Sequence, residues 1–164
     1  MTNQERQAKY KKLVEDIREC MLVTDDREIG IHARPMYLAA CDDQGKLWFF
    51  TNIDDAKVDE IYHDRTVCCA FSKPSDKDYV SATGKATIER DLATKKRYYQ
   101  KMNDAWFDGP EDPKASLICV HVKHAEYWED NDSAIITYAK IAATAVFGGP
   151  NANYDNTENE KLTL

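Results

Sequence analysis

The chain has 164 residues, a formal net charge of −7 and 43% apolar side chains, including nine Tyr, five Phe and three Trp. That length suits a single domain with a sizeable core, and the aromatic content excludes a disordered chain. No apolar stretch is long enough to cross a bilayer, MTNQERQAKYKK has no apolar signal region, and the acidic balance argues against a general nucleic-acid surface.

These features place the protein in the cytoplasm, without a membrane or nucleic-acid partner. The one basic cluster, Lys95-Lys96-Arg97 with Lys101, fits the wet face of an amphipathic helix. Cys20, Cys41, Cys68, Cys69 and Cys119 are an odd set with no C-x-x-C spacing, as expected of reduced thiols and not of a disulfide framework or a zinc site.

Residues 4–21 carry Tyr10, Leu13, Val14, Ile17 and Met21 at helical spacing, and Met21-Leu22-Val23-Thr24 overlaps that end as a short strand. After a turn at Asp25–Glu28, residues 29–41 (IGIHARPMYLAAC) form a long extended segment containing Pro35, a residue that belongs at a strand edge, a bulge or a ligand-facing position. The Asp42-Asp43-Gln44-Gly45 turn leads to the strand LWFFT. Residues 54–63 then read as a helix with Val58, Ile61 and Tyr62 on one face and Asp54 or Asp55 at its cap. Thr66–Ser72 and Tyr79–Arg90 are strands around the Lys73–Asp76 loop. Residues 92–106 are helical in pattern, 116–128 form a last long strand, and 134–147 a C-terminal helix. The reading is one domain over residues 1–150, with residues 151–164 a flexible tail. Strands joined mostly by turns predict a mainly β fold with flanking helices: an antiparallel, Greek-key-like barrel.

Three places invite chemistry. Thr51 offers a hydroxyl where a strand ends, a helix N-terminus follows, and Lys57 lies about one turn in; together they suit an anion such as phosphate, although a capped helix with an exposed lysine reads the same way. Strand parity puts His32, Arg34, Met36 and Leu38 on one face and Ala33, Pro35 and Tyr37 on the other. Arg34 on an apolar strand then needs either an acidic side chain or an anionic ligand. Tyr79, Ser81 and Thr83 share a face near Gly84, and Trp106 and Trp128 stand at element ends, where aromatics either edge a pocket or close a core. His121 and His124, three apart on a strand, are expected to face opposite ways, and no P-loop, Rossmann or Ser-His-Asp pattern occurs.

Five stretches in order, ARPM (33–36), LWFFTN (47–52) with AKVDEI (56–61), YVSATGKA (79–86), AWFDGPEDP (105–113) and AEYW (125–128), resemble the pyridoxamine 5′-phosphate oxidase-like flavoproteins, in particular their general stress protein branch. The resemblance spans about Leu13 to Trp128. It implies an FMN-binding split β-barrel that forms a homodimer, with flavin clefts between subunits and an unidentified small-molecule redox substrate. FAD is the alternative flavin, and other split barrels use deazaflavin or haem.

By the same resemblance, Arg34 and Lys57 would hold the flavin phosphate and Pro35, Met36 and Tyr37 would line the isoalloxazine edge. Phe50, Thr51 and Asn52 would follow the ribityl-phosphate arm, Tyr79 and Ser81 would touch flavin or partner, and Trp106 and Trp128 would border the cleft. No catalytic side chain and no metal ligand are implied. The flavin-dependent oxidoreductase is the first expectation, a non-catalytic flavin carrier or redox sensor the second. The oxidase pattern commonly has Ser-Arg-Lys where this chain has Asp55-Ala56-Lys57, so one phosphate arginine is missing and an acid stands nearby; Asp55 as a cap would compete with phosphate for the helix N–H groups. The oxidase's C-terminal Arg/His segment has no match, which argues against true pyridoxamine-phosphate oxidase activity.

Overall fold

The computed structural model describes residues 2–130 and 157–163. Helix α1 (Asn3–Ile17) begins with a capping box in which the Thr2 hydroxyl and the Glu5 carboxylate exchange bonds with each other's backbone N–H. It buries Tyr10, Leu13, Val14 and Ile17, each worth about 1.5–3 kcal/mol relative to exposure. The periodicity runs on to Met21, but the helix stops at Arg18, whose φ of 62° lies in the left-handed region and reverses the chain. Strand β1 (Glu19–Asp26) starts at once, so Cys20, Leu22 and Thr24 turn inward and Met21 stands 41% exposed.

The remaining strands are β2 (Gly30–Cys41), β3 (Leu47–Asn52), β4 (Thr66–Lys73), β5 (Asp78–Glu89), β6 (Ala115–Asp130) and β7 (Thr157–Thr163). Their order is β3-β2-β1-β4-β5-β6-β7, every pair antiparallel, and β3 also pairs with β6, which closes β1–β6 into a six-stranded barrel. The meander β1–β3 and the return of β4 to the side of β1 make the expected Greek key. Inner-face residues from all six strands, among them Leu22, Leu38, Phe49, Cys69, Val80 and Val120, form one core with α1. The expected flexible tail differs: residues 157–163 pair with His124–Asp130, and Leu162, 2% exposed, joins that core opposite Ala125. The helix expected over 134–147 lies outside the described residues.

A register break between β5 and β6 sits at Thr83/Gly84. A Cβ on Gly84 would lie 2.1 Å from the His121 carbonyl oxygen, so only glycine allows the strands this close. The break also corrects the histidines. His124 pairs with Thr83 and His121 with Lys85, two residues that share a face, so the bulge brings both rings to the same outer side. Among the described residues no group of three or more His, Cys, Asp or Glu side chains is placed to hold a metal ion.

Helices α2 (Ala56–His63) and α3 (Leu92–Tyr98) lie in the β3–β4 and β5–β6 connections. The helical pattern over 92–106 is interrupted: Tyr99 is extended, at φ −66° and ψ 131°, and a 3₁₀ turn follows over Lys101–Ala105. Stacking of Trp48 on Tyr98, with centroids 4.9 Å apart, pins α3 to β3, and the interruption swings residues 100–107 out beside β2.

Candidate flavin cleft

β2 and β3 pair only over Leu38–Cys41, so the stretch of β2 before Leu38 has no neighbour on the β3 side. Leu38 donates its N–H at 2.8 Å to the Arg18 carbonyl on the β1 side. Alternation therefore turns the N–H and C=O of Tyr37 and the C=O of Pro35 the opposite way. Ala39 shares that direction, and its carbonyl accepts from Gln100 Nε2 at 3.0 Å. Pro35 fits this edge because it lacks the N–H that a ladder would use.

Beside the edge lies a cleft of about 400 Å³. Pro35, Met36, Tyr37 and Ala39 form one wall; Phe50, Thr51 and Asn52 at the end of β3 form its floor; Asp55 and Lys57 from the start of α2 close one end; and Gln100, Met102, Asn103, Trp106 and Phe107 form the far wall. The far wall is held from behind. The Tyr99 ring meets Phe50 edge-on at 5.4 Å, and its hydroxyl lies 3.2 Å from the Phe107 carbonyl and accepts from the Gly109 N–H at 3.1 Å. Buried Lys95 donates to the Asp112 and Ala115 carbonyls at 3.3 and 3.2 Å, fixing the return of this loop to β6. Trp106 itself is 68% exposed at the rim. Aromatic walls, an open backbone edge and a charged end make a shape for a flat polar ring with an extended arm.

At the charged end, Thr51 is buried and its carbonyl accepts from Ser116 Oγ at 3.1 Å. Its hydroxyl donates to Asp55 Oδ2 at 3.2 Å and accepts from Lys57 Nζ at 3.3 Å, while Lys57 forms an ion pair with the same Asp55 oxygen. Asp55 is the N-cap residue of α2, yet its side chain makes no capping bond. The competition expected for helix N–H groups is instead for the Thr51 hydroxyl and the Lys57 ammonium. Partial burial pushes the Asp55 pKa up, but the Lys57 ammonium and the Thr51 hydroxyl outweigh it and hold the carboxyl below its ordinary value.

Of the residues expected at the site, Pro35, Met36, Tyr37, Phe50, Thr51, Asn52, Lys57 and Trp106 line this cleft. Arg34 is not among its lining residues. It shares the inner face with Leu22 and Leu38, where its Nη2 donates to Glu60 Oε2 of α2 at 2.7 Å, and it also bonds Thr24 and His32. Glu60 is thus an acidic partner of the kind that Arg34 needs on this strand. Tyr79, Ser81 and Trp128 lie elsewhere too: Tyr79 pairs with Trp128 and Ser81 with Glu126 and Ala70, on the outer face of the sheet. That face continues through Met21 to Pro35, at the edge of the cleft. The wall from Gln100, Met102, Asn103 and Phe107 was not anticipated, because the unbroken helical pattern gave no sign of the extended Tyr99.

The sequence matches the family described as "Pyridoxamine 5′-phosphate oxidase like" over residues 5–152. The chain belongs to this family. Protein bli-3 of Neurospora crassa is 29% identical over 141 residues, covering 79% of this chain and 68% of that protein. The general stress FMN/FAD binding protein of Xanthomonas citri is 30% identical and superposes with a TM-score of 0.68 over 80% of this chain and 93% of that one. General Stress Protein 26 of Bacillus anthracis, 24% identical, shares the fold at a TM-score of 0.68 over 75% of this chain and 93% of that one. Within the family the chain therefore sits with the general stress proteins.

Proposed function

We propose that this chain binds FMN in the cleft beside β2 and uses it as a flavin-dependent oxidoreductase. The observation that carries this is the unpaired β2 edge at Pro35–Tyr37, facing an aromatic wall and ending at Lys57. The 30% identical Xanthomonas citri protein, described as FMN/FAD binding, supports it. The edge of Tyr37 would hold the polar rim of the isoalloxazine through its N–H and C=O. Phe50 and Phe107 would pack against the ring, and Thr51 and Lys57 would receive the ribityl arm. The flavin supplies the electron transfer, while the chain orients it and excludes water from one side. A flavin of roughly 30 non-hydrogen atoms at about 0.3 kcal/mol each gives near 9 kcal/mol, or sub-micromolar binding.

The protein would act in the cytoplasm as a homodimer. The outer face from Trp128 and Tyr79 through Met21 to Pro35 and Tyr37 is continuous with the cleft, and Met21, Tyr37 and Tyr79 are about 40% exposed on it. A second copy packed there about a two-fold axis would complete the open side of each cleft.

A specific observation also favours a carrier or sensor. Among the described residues, the ionic side chains lining the cleft are Asp55 and Lys57, and they bond each other instead of standing ready as acid or base for a substrate. One experiment addresses both readings: titrate the protein with FMN and FAD, then supply NADH or NADPH and follow flavin bleaching. Sub-micromolar FMN binding with turnover supports the oxidoreductase. Binding without turnover supports the carrier, and a protein that takes up neither flavin refutes both.

A further inference from the structure

Among the described residues, the cation at the charged end of the cleft is Lys57, and it already has an anion. Asp55 Oδ2 takes the two groups that a terminal phosphate needs, the Thr51 hydroxyl and the Lys57 ammonium. The backbone holds the carboxylate close, since the Asp55 N–H donates to Asn52 at 3.1 Å and its carbonyl accepts from Val58 at 2.9 Å. The Arg34 guanidinium, on the opposite face of β2 from Pro35, is bound to Glu60. A phosphate entering here must either leave Lys57 to Asp55 or displace a carboxylate that stays within reach, and two anions sharing one ammonium repel. A neutral hydroxyl meets no such conflict. It can donate to Asp55 and accept from Lys57 together.

We propose that Asp55 sets which flavin this cleft prefers: as an internal anion at the phosphate corner, it makes the chain accept riboflavin, the phosphate-free flavin, nearly as well as FMN. The proposal rests on the flavin reading of the cleft and concerns only the end of the ribityl arm. The loss of preference lies in the charge of Asp55, because Thr51 and Lys57 are otherwise well placed for a phosphate.

The test is fluorescence titration of riboflavin and of FMN into the flavin-free protein and into Asp55→Asn and Asp55→Ala, with thermal unfolding to establish that each variant is folded. The native protein is expected to show dissociation constants for the two flavins within about tenfold of each other. Both substitutions are expected to tighten FMN by about tenfold or more while leaving riboflavin unchanged or weaker, because the phosphate is relieved of the carboxylate's repulsion and the hydroxyl loses its acceptor. A native preference for FMN above about a hundredfold, or an FMN affinity that neither substitution changes, would overturn the role of Asp55 while leaving flavin binding intact. Failure of the native protein and both variants to bind either flavin would overturn the flavin reading itself and this proposal with it.

Discussion

Two acid–base pairs meet at helix α2 and face different surroundings. Arg34 and Glu60 meet on the inner face, their side chains 17% and 6% exposed, with Thr24 and His32 completing the bonds. Lys57 and Asp55 meet at the cleft, 16% and 43% exposed. Strand parity and helix phase separate them: β2 sends Arg34 inward and Pro35 outward, while α2 sends Glu60 into the protein and keeps its first residues at the cleft. A partly buried arginine satisfied by its own buried acid is part of the architecture. A lysine whose acid is half in solvent remains open to a ligand.

The largest effect expected from this contrast is on stability. Glu60→Ala leaves Arg34 without its carboxylate and should lower the unfolding free energy by about 3–4 kcal/mol in a denaturant titration. Joint replacement by Arg34→Met and Glu60→Leu should cost less than Glu60→Ala alone, since no charge is then left unpaired. If Glu60→Ala instead spared stability and weakened FMN, Arg34 would belong to the cleft after all. Lys57→Ala should do the reverse, weakening FMN by about 1–2 kcal/mol while changing stability by less than about 0.5 kcal/mol. Unchanged affinity for both riboflavin and FMN would show that Lys57 does not meet the ribityl arm.

Trp106→Ala should reduce flavin affinity by about 1 kcal/mol without moving the thermal midpoint, because the ring is 68% exposed and its loss leaves no cavity. The smallest effect is in acid. The folded pKa of Asp55 lies below its ordinary 3.8, so its ion pair contributes stability that is complete above about pH 3.8 and is lost as pH falls through the folded value. Its exposure keeps that contribution small. Stability curves of the native protein and Asp55→Asn should therefore differ above that pH and converge below it.

Much of the cleft was legible because period-2 alternation is a local rule. ARPMY on an extended segment fixes Pro35 and Tyr37 to one side whatever the rest of the chain does, and WFFTN ending at a helix start fixes where Thr51 and Lys57 stand. What was not legible depends on distant partners or on backbone states that no residue type announces. Glu60 is one of two acids on α2, and only the docking of that helix against β1 shows that it meets Arg34. Tyr99 turns extended without a glycine or proline to signal it, so a helix pattern concealed a wall of the cleft. His121 and His124 obeyed alternation until a bulge shifted the phase. In TENEKLT a single leucine is the only apolar residue, too thin a pattern to separate a strand from a tail.

The sixteen-residue strand β6 has a further consequence, for how the molecule forms. It pairs with β3, β5 and β7, and its bond from Ser116 to Thr51 joins residues 65 positions apart. During synthesis the LWFFTN edge of β3 thus waits beside an incomplete sheet until residues 115–130 have left the ribosome. Closure over such a span is slow relative to the local hairpins, and an open aromatic edge is the kind of surface that chaperones guard and aggregates grow from. Yield and solubility of this protein should respond to synthesis rate and chaperone supply more than its folded stability alone would indicate.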